Sequence, residues 1–131
     1  MATATGTINH NNWDEKPYYE ARPLKGTIAH IDAVFAGDLA GEAKTVFSMS
    51  YGEDDKSAHY AGHLLFKGTL GGKAGTLVIF EQGSWGNGVA SSDWTIVAGS
   101  GTGEFKGISG SGSYSAEHDK SVHYSLDYDF K

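Results

Sequence analysis

Glu81 is the residue whose position most directly suggests proton-transfer chemistry. In the segment LVIFEQ, Leu77, Ile79 and Glu81 are spaced two apart and share one face of a strand. If that face points inward, burial raises the pKa of the carboxyl toward neutrality, where it can take up and release a proton. The opposite face, with Val78 and Phe80, is equally apolar, and if it points inward Glu81 faces water. Both orientations remain open at the level of sequence.

Tyrosine hydroxyls are the natural partners of such a carboxyl. Tyr51, Tyr60, Tyr124 and Tyr128 are expected to face inward, where they can donate to a carboxylate or a ligand carbonyl, or serve as core residues. We predict three catalytic residues, Glu81, Tyr60 and Tyr124. The residues predicted to contact a substrate are Trp13, Tyr51, Leu64, Phe66, Ile79, Trp85 and Tyr128. Trp94, within SSDWTIVAG, is predicted to be core.

The histidines do not form a recognisable metal site. His59 and His63 are four residues apart, which on a strand separates them by more than about 10 Å along one face. His118 and His123 flank a turn with Asp119 nearby, and a polar hairpin tip explains them equally well. No metal is therefore expected.

The glycine-rich segment GSGTGEFKGISGSG does not have the context of a phosphate loop. A phosphate loop needs a strand before it and a helix after it, and the residues that follow Gly103 are too rich in glycine for a helix. The segment is typical of bends and tight backbone crossings instead. We expect no nucleotide and no other cofactor.

Composition and charge restrict the class of protein. The 131 residues suit a single domain over residues 1–131, and the net charge of −6 without basic clusters argues against a nucleic-acid partner. Cysteine is absent, and the N-terminal MATATGTINHNNW lacks the apolar region of a secretory signal. No apolar run has membrane-spanning length. We expect a cytoplasmic protein that does not bind membranes.

Period-two alternation of apolar residues predicts eight strands, near residues 2–10, 25–36, 42–51, 57–70, 74–84, 89–98, 104–117 and 121–130. The short connections between them favour antiparallel neighbours. The predicted fold is all-β, an eight-stranded antiparallel up-and-down β-barrel. Residues 13–23, with Pro17, Pro23 and dense charge, are predicted to be a long loop between the first two strands, either an irregular edge strand or a lid.

The alternation also predicts which side chains face the interior. The inward set is expected to comprise Ala29, Ile31, Ala33, Phe35, Tyr60, Gly62, Leu64, Phe66, Val122, Tyr124, Leu126, Tyr128 and Phe130. The outward set is expected to comprise His30, Asp32, His59, His63, Lys67, His123, Ser125, Asp127 and Asp129.

The ordered motifs NNWDEKPY, FAGDLAGEA, FKGTLGGKAGTL, DWTIVAGSGTGEFKGISGSG and YSLDYDF resemble those of an uncharacterised family of small single-domain bacterial proteins. The resemblance covers almost the whole chain. It implies a barrel similar to those of allene oxide cyclase and the plant dirigent proteins, often assembled as dimers or higher oligomers. The family has no settled activity, but its wider relatives include cofactor-free cyclases and isomerases of hydrophobic substrates.

Two positions depart from the family pattern. The pattern has Glu where Leu64 stands and His where Glu81 stands, so an inherited acid/base pair is not implied, and both positions are expected to tune an interior site. The segment from Trp13 to Tyr18 does match.

Three functions are consistent with these features. The first is a cofactor-independent cyclase or isomerase that acts on a small hydrophobic molecule inside the barrel. The second is a non-catalytic binding protein for a small apolar ligand. The third is a filled barrel whose role is assembly as a homodimer or higher homo-oligomer. A cavity of roughly 300 Å³ or more would favour the first two functions.

Overall fold

The computed structural model describes residues 2–21, 24–52, 57–86, 89–117 and 122–130. These residues form nine strands: β1 (Ala2–Ala21), β2 (Leu24–Gly37), β3 (Leu39–Tyr51), β4 (Ser57–Leu70), β5 (Lys73–Gly86), β6 (Val89–Ile96), β7 (Thr102–Gly103), β8 (Ile108–Glu117) and β9 (Val122–Phe130). Within these ranges there is no helix with the length and apolar character needed to cross a membrane.

All nine strands belong to one antiparallel sheet that closes into a ring. Consecutive long strands pair with each other, β6 pairs with β8, and β9 pairs back onto β1. The two-residue β7 adds only to β5. The predicted all-β class and the eight long strands are confirmed, although several strand boundaries differ, most of all the end of β1 and the start of β8. The strand predicted from residue 104 begins at Ile108, because residues 104–107 form a turn that ends at Gly107 with φ +81°.

The prediction of a loop or lid over residues 13–23 is wrong for residues 13–21, which continue β1 and pair with β2. Register shifts between His10 and Asn12 and between Pro17 and Tyr19 absorb the irregular sequence. The pairing of β1 with β9 ends at Ile8, so the described residues beyond it pair on one side only. An edge of this kind tolerates a proline, which has no N–H. The alternative of an irregular edge strand is therefore confirmed, and residues 22 and 23 lie outside the described residues.

The predicted inward and outward faces are confirmed. The predicted inward side chains are buried or half-buried, and the predicted outward ones are exposed, except that Asp32 is half-buried. The buried residues form two clusters. The larger fills the middle and one end of the ring, and the smaller, which includes Phe47, Met49 and Tyr60, lies toward the other end.

The glycine-rich segment closes the filled end of the ring. Gly99 and Gly103 adopt left-handed φ values of +79° and +61°, which favour glycine, and the chain turns back so that β7 pairs with β5. This return places Phe105 fully inside, where its ring stacks on Phe66 with centroids 6.4 Å apart. The interior at this end of the ring is therefore filled by side chains.

Candidate functional site

The opposite end of the ring contains an open, mostly apolar pocket with a volume of about 370 Å³. Its lining residues come from both sides of the ring and are His10, Trp13, Phe47, Met49, Tyr51, Tyr60, Trp85, Ala90, Tyr114, Ala116 and Val122. A pocket of this size that is lined by apolar groups with a few polar ones is typical of a site for a small molecule.

Glu81 lies inside the ring, behind the floor of this pocket. Its side chain is 1% exposed, so the inward alternative for β5 is correct. The indole Nε1 of Trp94 donates to Glu81 Oε1 at 3.1 Å, and the hydroxyl of Ser92 donates to Oε2 at 3.2 Å. Burial raises the pKa of Glu81 to about 7, although these hydrogen bonds act to lower it. Near neutral pH both the protonated and the ionised form are populated.

A chain of hydroxyl groups connects Glu81 to the pocket. Ser92 Oγ lies 2.6 Å from the hydroxyl of Tyr60, which in turn lies 3.1 Å from the hydroxyl of Tyr114. Tyr60 and Tyr114 both line the pocket, whereas Glu81 does not. Burial raises the pKa of each tyrosine, so both stay protonated phenols over the ordinary pH range. Ser92 and the two tyrosines can therefore pass a proton between Glu81 and a bound molecule.

A second carboxylate, Glu15, organises the mouth of the pocket. Trp13 Nε1 donates to Glu15 Oε1 at 2.9 Å, and the hydroxyls of Thr27 and Tyr51 donate to Oε2, the first at 2.6 Å. The ammonium of Lys25 lies 4.8 Å from the centre of the Tyr51 ring. Glu15 thereby fixes two aromatic side chains that border the cavity.

The environments of the two carboxyls shift their pKa values in opposite directions. Burial acts to raise the pKa of Glu15, but the three hydrogen bonds and the charge of Lys25 outweigh it and hold the value below the ordinary range. Glu15 is therefore a fixed negative charge near neutral pH, whereas Glu81 titrates there.

Glu15→Gln is expected to lower the free energy of unfolding by about 1 kcal/mol at pH 7, the worth of one partly exposed charge-assisted hydrogen bond. A single amide oxygen cannot accept all three bonds. Because the folded-state pKa of Glu15 is depressed, its stabilisation is present above the unfolded value of about 4.5 and is lost as the pH falls through the folded value. Denaturant unfolding at pH 7 and pH 3 measures this loss, and the difference between the two proteins should be smaller at the lower pH. Glu20→Gln, exposed on the same strand, is the control.

His10 adds an uncharged polar group to the wall of the pocket. Its imidazole lies edge-on to the ring of Trp13, with centroids 6.4 Å apart. Burial lowers the pKa of His10, which favours the neutral imidazole. A neutral imidazole can accept one hydrogen bond or proton from a bound molecule.

The structure brings some of the predicted site residues together and separates others. The pocket is lined by one residue predicted to be catalytic, Tyr60, and by three predicted to contact a substrate: Trp13, Tyr51 and Trp85. Glu81, also predicted to be catalytic, lies behind the pocket. The remaining predicted site residues lie in or against the filled core, away from the pocket lining: Leu64, Phe66, Ile79, Tyr124 and Tyr128. Trp94 is core as predicted.

The hydroxyl of Tyr124, a residue predicted to be catalytic, bonds to the backbone and does not line the pocket. Its hydroxyl accepts from the backbone N–H of Leu39 at 2.9 Å and lies 3.2 Å from the carbonyl oxygens of Ala36 and Leu39. The hydroxyl thus joins β9 to the turn between β2 and β3. The alternation of side chains along β9 correctly predicts that Tyr124 faces the interior, but it does not indicate which end of the ring the side chain reaches.

Four polar residues of the site were not predicted: His10, Glu15, Ser92 and Tyr114. The alternation in SSDWTI and SGSYSA gives inward positions to Ser92 and Tyr114, so that signal was present in the sequence. Glu15 lies in a segment whose prolines and charges predict a loop, so alternation does not indicate where its side chain points. The described residues contain no group of three or more His, Cys, Asp or Glu side chains arranged to hold a metal. His118 and Asp119 lie outside the described residues.

Comparisons with known proteins give a family and a fold. The model of a family described as "Protein of unknown function (DUF3224)" matches residues 4–128. The crystal structure of a protein of unknown function from the same family, from Shewanella oneidensis MR-1, is similar with a TM-score of 0.80 and 19% sequence identity, covering 100% of this chain and 98% of that chain. At this identity the likeness shows the fold alone. No curated protein matches the chain.

Proposed function

Because the chain belongs to the DUF3224 family of proteins of unknown function, we propose from its site alone that it isomerises or cyclises a small, largely apolar molecule without a cofactor. The observation that carries the proposal is the pocket of about 370 Å³ with Tyr60 in its wall and Glu81 behind it. A barrel similar to allene oxide cyclase is part of this proposal, and the closed ring of antiparallel strands is compatible with it.

The proposed chemistry combines confinement with proton transfer. The apolar walls restrict the conformations of a flexible substrate, which lowers the entropic part of the barrier. The hydroxyl of Tyr60 donates a proton to the substrate while Ser92 returns one to Tyr60 from protonated Glu81. The reverse transfer restores the carboxyl when another substrate atom loses a proton. No net proton is consumed, as an isomerisation requires.

Binding without catalysis is the second candidate function. It is favoured by the position of Glu81, which does not border the cavity and whose two oxygens are occupied by Trp94 and Ser92. In this case the buried carboxyl would serve only to orient the hydroxyl groups of the pocket floor.

Turnover distinguishes the two functions. A metabolite extract, fractionated for apolar compounds, is incubated with the wild type, Glu81→Gln and Tyr60→Phe, and analysed by liquid chromatography and mass spectrometry. An isomerase depletes one compound and produces another of the same mass, and both variants slow this conversion. Retention of one unchanged compound by all three proteins would support binding alone. Unaltered conversion by Glu81→Gln would remove Glu81 from the mechanism.

Ala116→Phe is expected to weaken binding of the neutral fluorescent probe N-phenyl-1-naphthylamine at least tenfold, because the added ring occupies the cavity. Ala116 lines the pocket and does not belong to the hydroxyl chain. Ser115→Phe is the matched control, since Ser115 precedes it on β8 and is exposed on the outer face. A fluorescence titration measures both affinities, and equal weakening by the two variants would place the probe elsewhere.

Assembly as a homo-oligomer is a further proposal, compatible with catalysis or binding. The outer face of β3–β5 exposes 45% of Val46 and 50% of Leu65, beside the rings of His63 and Phe80, which contact each other at a tilted angle of 58°. Burial of these side chains between two copies would favour association. Light scattering should report a larger mass for the wild type than for Leu65→Lys, and equal monomer masses would count against assembly.

A further inference from the structure

The direction of the hydrogen bonds along the pocket floor depends on the protonation state of Glu81. An ionised carboxylate accepts hydrogen bonds and donates none. The one hydroxyl proton of Ser92 is then directed to Glu81 Oε2, at 3.2 Å. Ser92 Oγ is thereby free to accept from Tyr60, whose hydroxyl lies 2.6 Å away.

Tyr114 follows the same direction when Glu81 is ionised. Its hydroxyl hydrogen-bonds with the carboxyl of Glu81 and lies 3.1 Å from the hydroxyl of Tyr60. The hydroxyl proton of Tyr114 is therefore directed either at a carboxylate oxygen of Glu81 or at the hydroxyl oxygen of Tyr60. With every hydroxyl proton directed toward Glu81, the floor offers a bound molecule only oxygen lone pairs.

Protonation of Glu81 reverses the chain. The new proton on Oε2 is donated to Ser92 Oγ, Ser92 then donates to Tyr60, and the hydroxyl proton of Tyr60 is released from this chain. Trp94 keeps Oε1 occupied in both states. Among the described residues the released proton can be donated to the backbone carbonyl of Ser91 at 3.2 Å or to the hydroxyl oxygen of Tyr114 at 3.1 Å, which then donates its own proton onward. A ligand oxygen in the pocket can replace either final acceptor. The floor has become a hydrogen-bond donor.

Glu81 is the group whose protonation sets the direction of the hydrogen bonds at the pocket floor. Within the described part of the chain, the titratable groups that interact with it are Tyr60 on β4 and Tyr114 on β8, and its partners on β6, Ser92 and Trp94, are neutral. His10, across the pocket on β1, is the other titratable group of the lining beside the tyrosines, and burial favours its neutral form. Apart from these groups the lining is largely apolar, so the tyrosine hydroxyls decide which polar atom a ligand can place at the floor.

We propose that the molecule bound in the pocket carries a carbonyl group, and that the hydroxyls of Tyr60 and Tyr114 hold its oxygen when Glu81 is protonated. This inference rests on the proposed binding of a small apolar molecule and names its chemical class as ketones and related carbonyl compounds. A carbonyl oxygen only accepts hydrogen bonds, so it matches the floor in one state of Glu81 and meets lone pairs in the other.

Matched bicyclic probes test this inference. The dissociation constants of 2-decalone and decalin are measured by quenching of tryptophan fluorescence at pH 5.5 and pH 8.5. The ketone is expected to bind about tenfold more tightly at the lower pH, the consequence of matching one buried hydrogen bond. Decalin has no polar atom and is expected to bind equally at both values.

Glu81→Gln is the decisive variant. Its amide oxygen still accepts from Trp94 and its amide nitrogen donates to Ser92, as a protonated Glu81 does. The variant is expected to bind 2-decalone tightly at both pH values. Tyr60→Phe keeps the ring, removes one of the two donors and interrupts the chain from Ser92 to Tyr114, so its preference for 2-decalone over decalin should be reduced.

The outcomes distinguish a failure of the carbonyl inference from a failure of the proposed function, the binding of a small apolar molecule. If neither probe binds the wild type at either pH, the pocket does not hold an apolar molecule and the proposed function is contradicted along with the inference. If decalin binds but the ketone shows no preference or no pH dependence, only the carbonyl inference is overturned. It is also overturned if Glu81→Gln retains the pH dependence of the wild type.

Discussion

Glu81→Gln is expected to raise the free energy of unfolding by about 3 kcal/mol at pH 8.5 and to change it little at pH 4.5. The carboxyl is 1% exposed, and burial raises its pKa from 4.5 to about 7. That difference corresponds to about 3 kcal/mol, at about 1.4 kcal/mol per pKa unit. The amide cannot ionise and keeps the shape of the protonated acid, so it avoids this cost.

The sign follows from proton linkage. Between pH 4.5 and about 7 the folded protein holds the proton of Glu81 while the unfolded chain has lost it. Stability therefore falls as the pH rises through this window and is fully present below it. Denaturant titrations of the wild type and Glu81→Gln at several pH values measure the difference. Glu42→Gln, exposed on β3, is the control and should follow the wild type. Parallel curves for the wild type and Glu81→Gln would show that the pKa is not raised.

This cost bears on the proposed function. A glutamine or leucine would be cheaper to bury than a carboxyl that ionises near neutral pH. Residues that reduce stability without a packing benefit are concentrated at functional sites, where activity compensates for the loss. The carboxyl lies next to the pocket and not in the filled end of the ring, which fits a role in the chemistry of the pocket.

The sequence predicted the faces of the strands well because a strand alternates strictly. The inward positions of Leu126 and Phe66 follow from that rule and from local turns, and they are confirmed. The orientation of β5 did not follow, since Val78 and Phe80 are as apolar as Leu77 and Ile79. The structure resolves it because β5 pairs with β4 so that Leu64 and Ile79 share the inner face.

The position of the pocket along the ring could not be predicted from alternation. Alternation along a strand separates inward from outward side chains but does not distinguish the two ends of the ring. Which end is filled and which is open depends on contacts between residues distant in the sequence. Phe105 fills one end because the glycine-rich segment turns back onto β5. Trp13 reaches the other end because β1 continues past Ile8 along β2, in a segment whose prolines and charges are typical of a loop.

Trp94→Phe is expected to lower the free energy of unfolding by about 3 kcal/mol at pH 8.5, through a cavity and a lost charge-assisted hydrogen bond. The indole is 1% exposed and stacks on Tyr124 with ring centroids 5.8 Å apart. Its N–H is one of two donors that Glu81 receives from β6. Phenylalanine retains much of the packing but leaves Oε1 without this donor. Trp85→Phe, at the 39% exposed residue in the pocket mouth, is the control and should cost less than about 1 kcal/mol.

The pH dependence of this loss separates the hydrogen bond from the packing. The N–H of Trp94 favours the ionised carboxylate, so its removal raises the pKa of Glu81 further and costs more above pH 7 than below it. We expect the loss at pH 4.5 to be smaller by about 1 to 2 kcal/mol. In the double variant Trp94→Phe, Glu81→Gln the charge is absent and the loss should no longer depend on pH. A loss that is equal at both pH values in the single variant would mean that Trp94 stabilises the fold by packing alone. The ionised carboxylate of Glu81 would then be stabilised by a group other than Trp94.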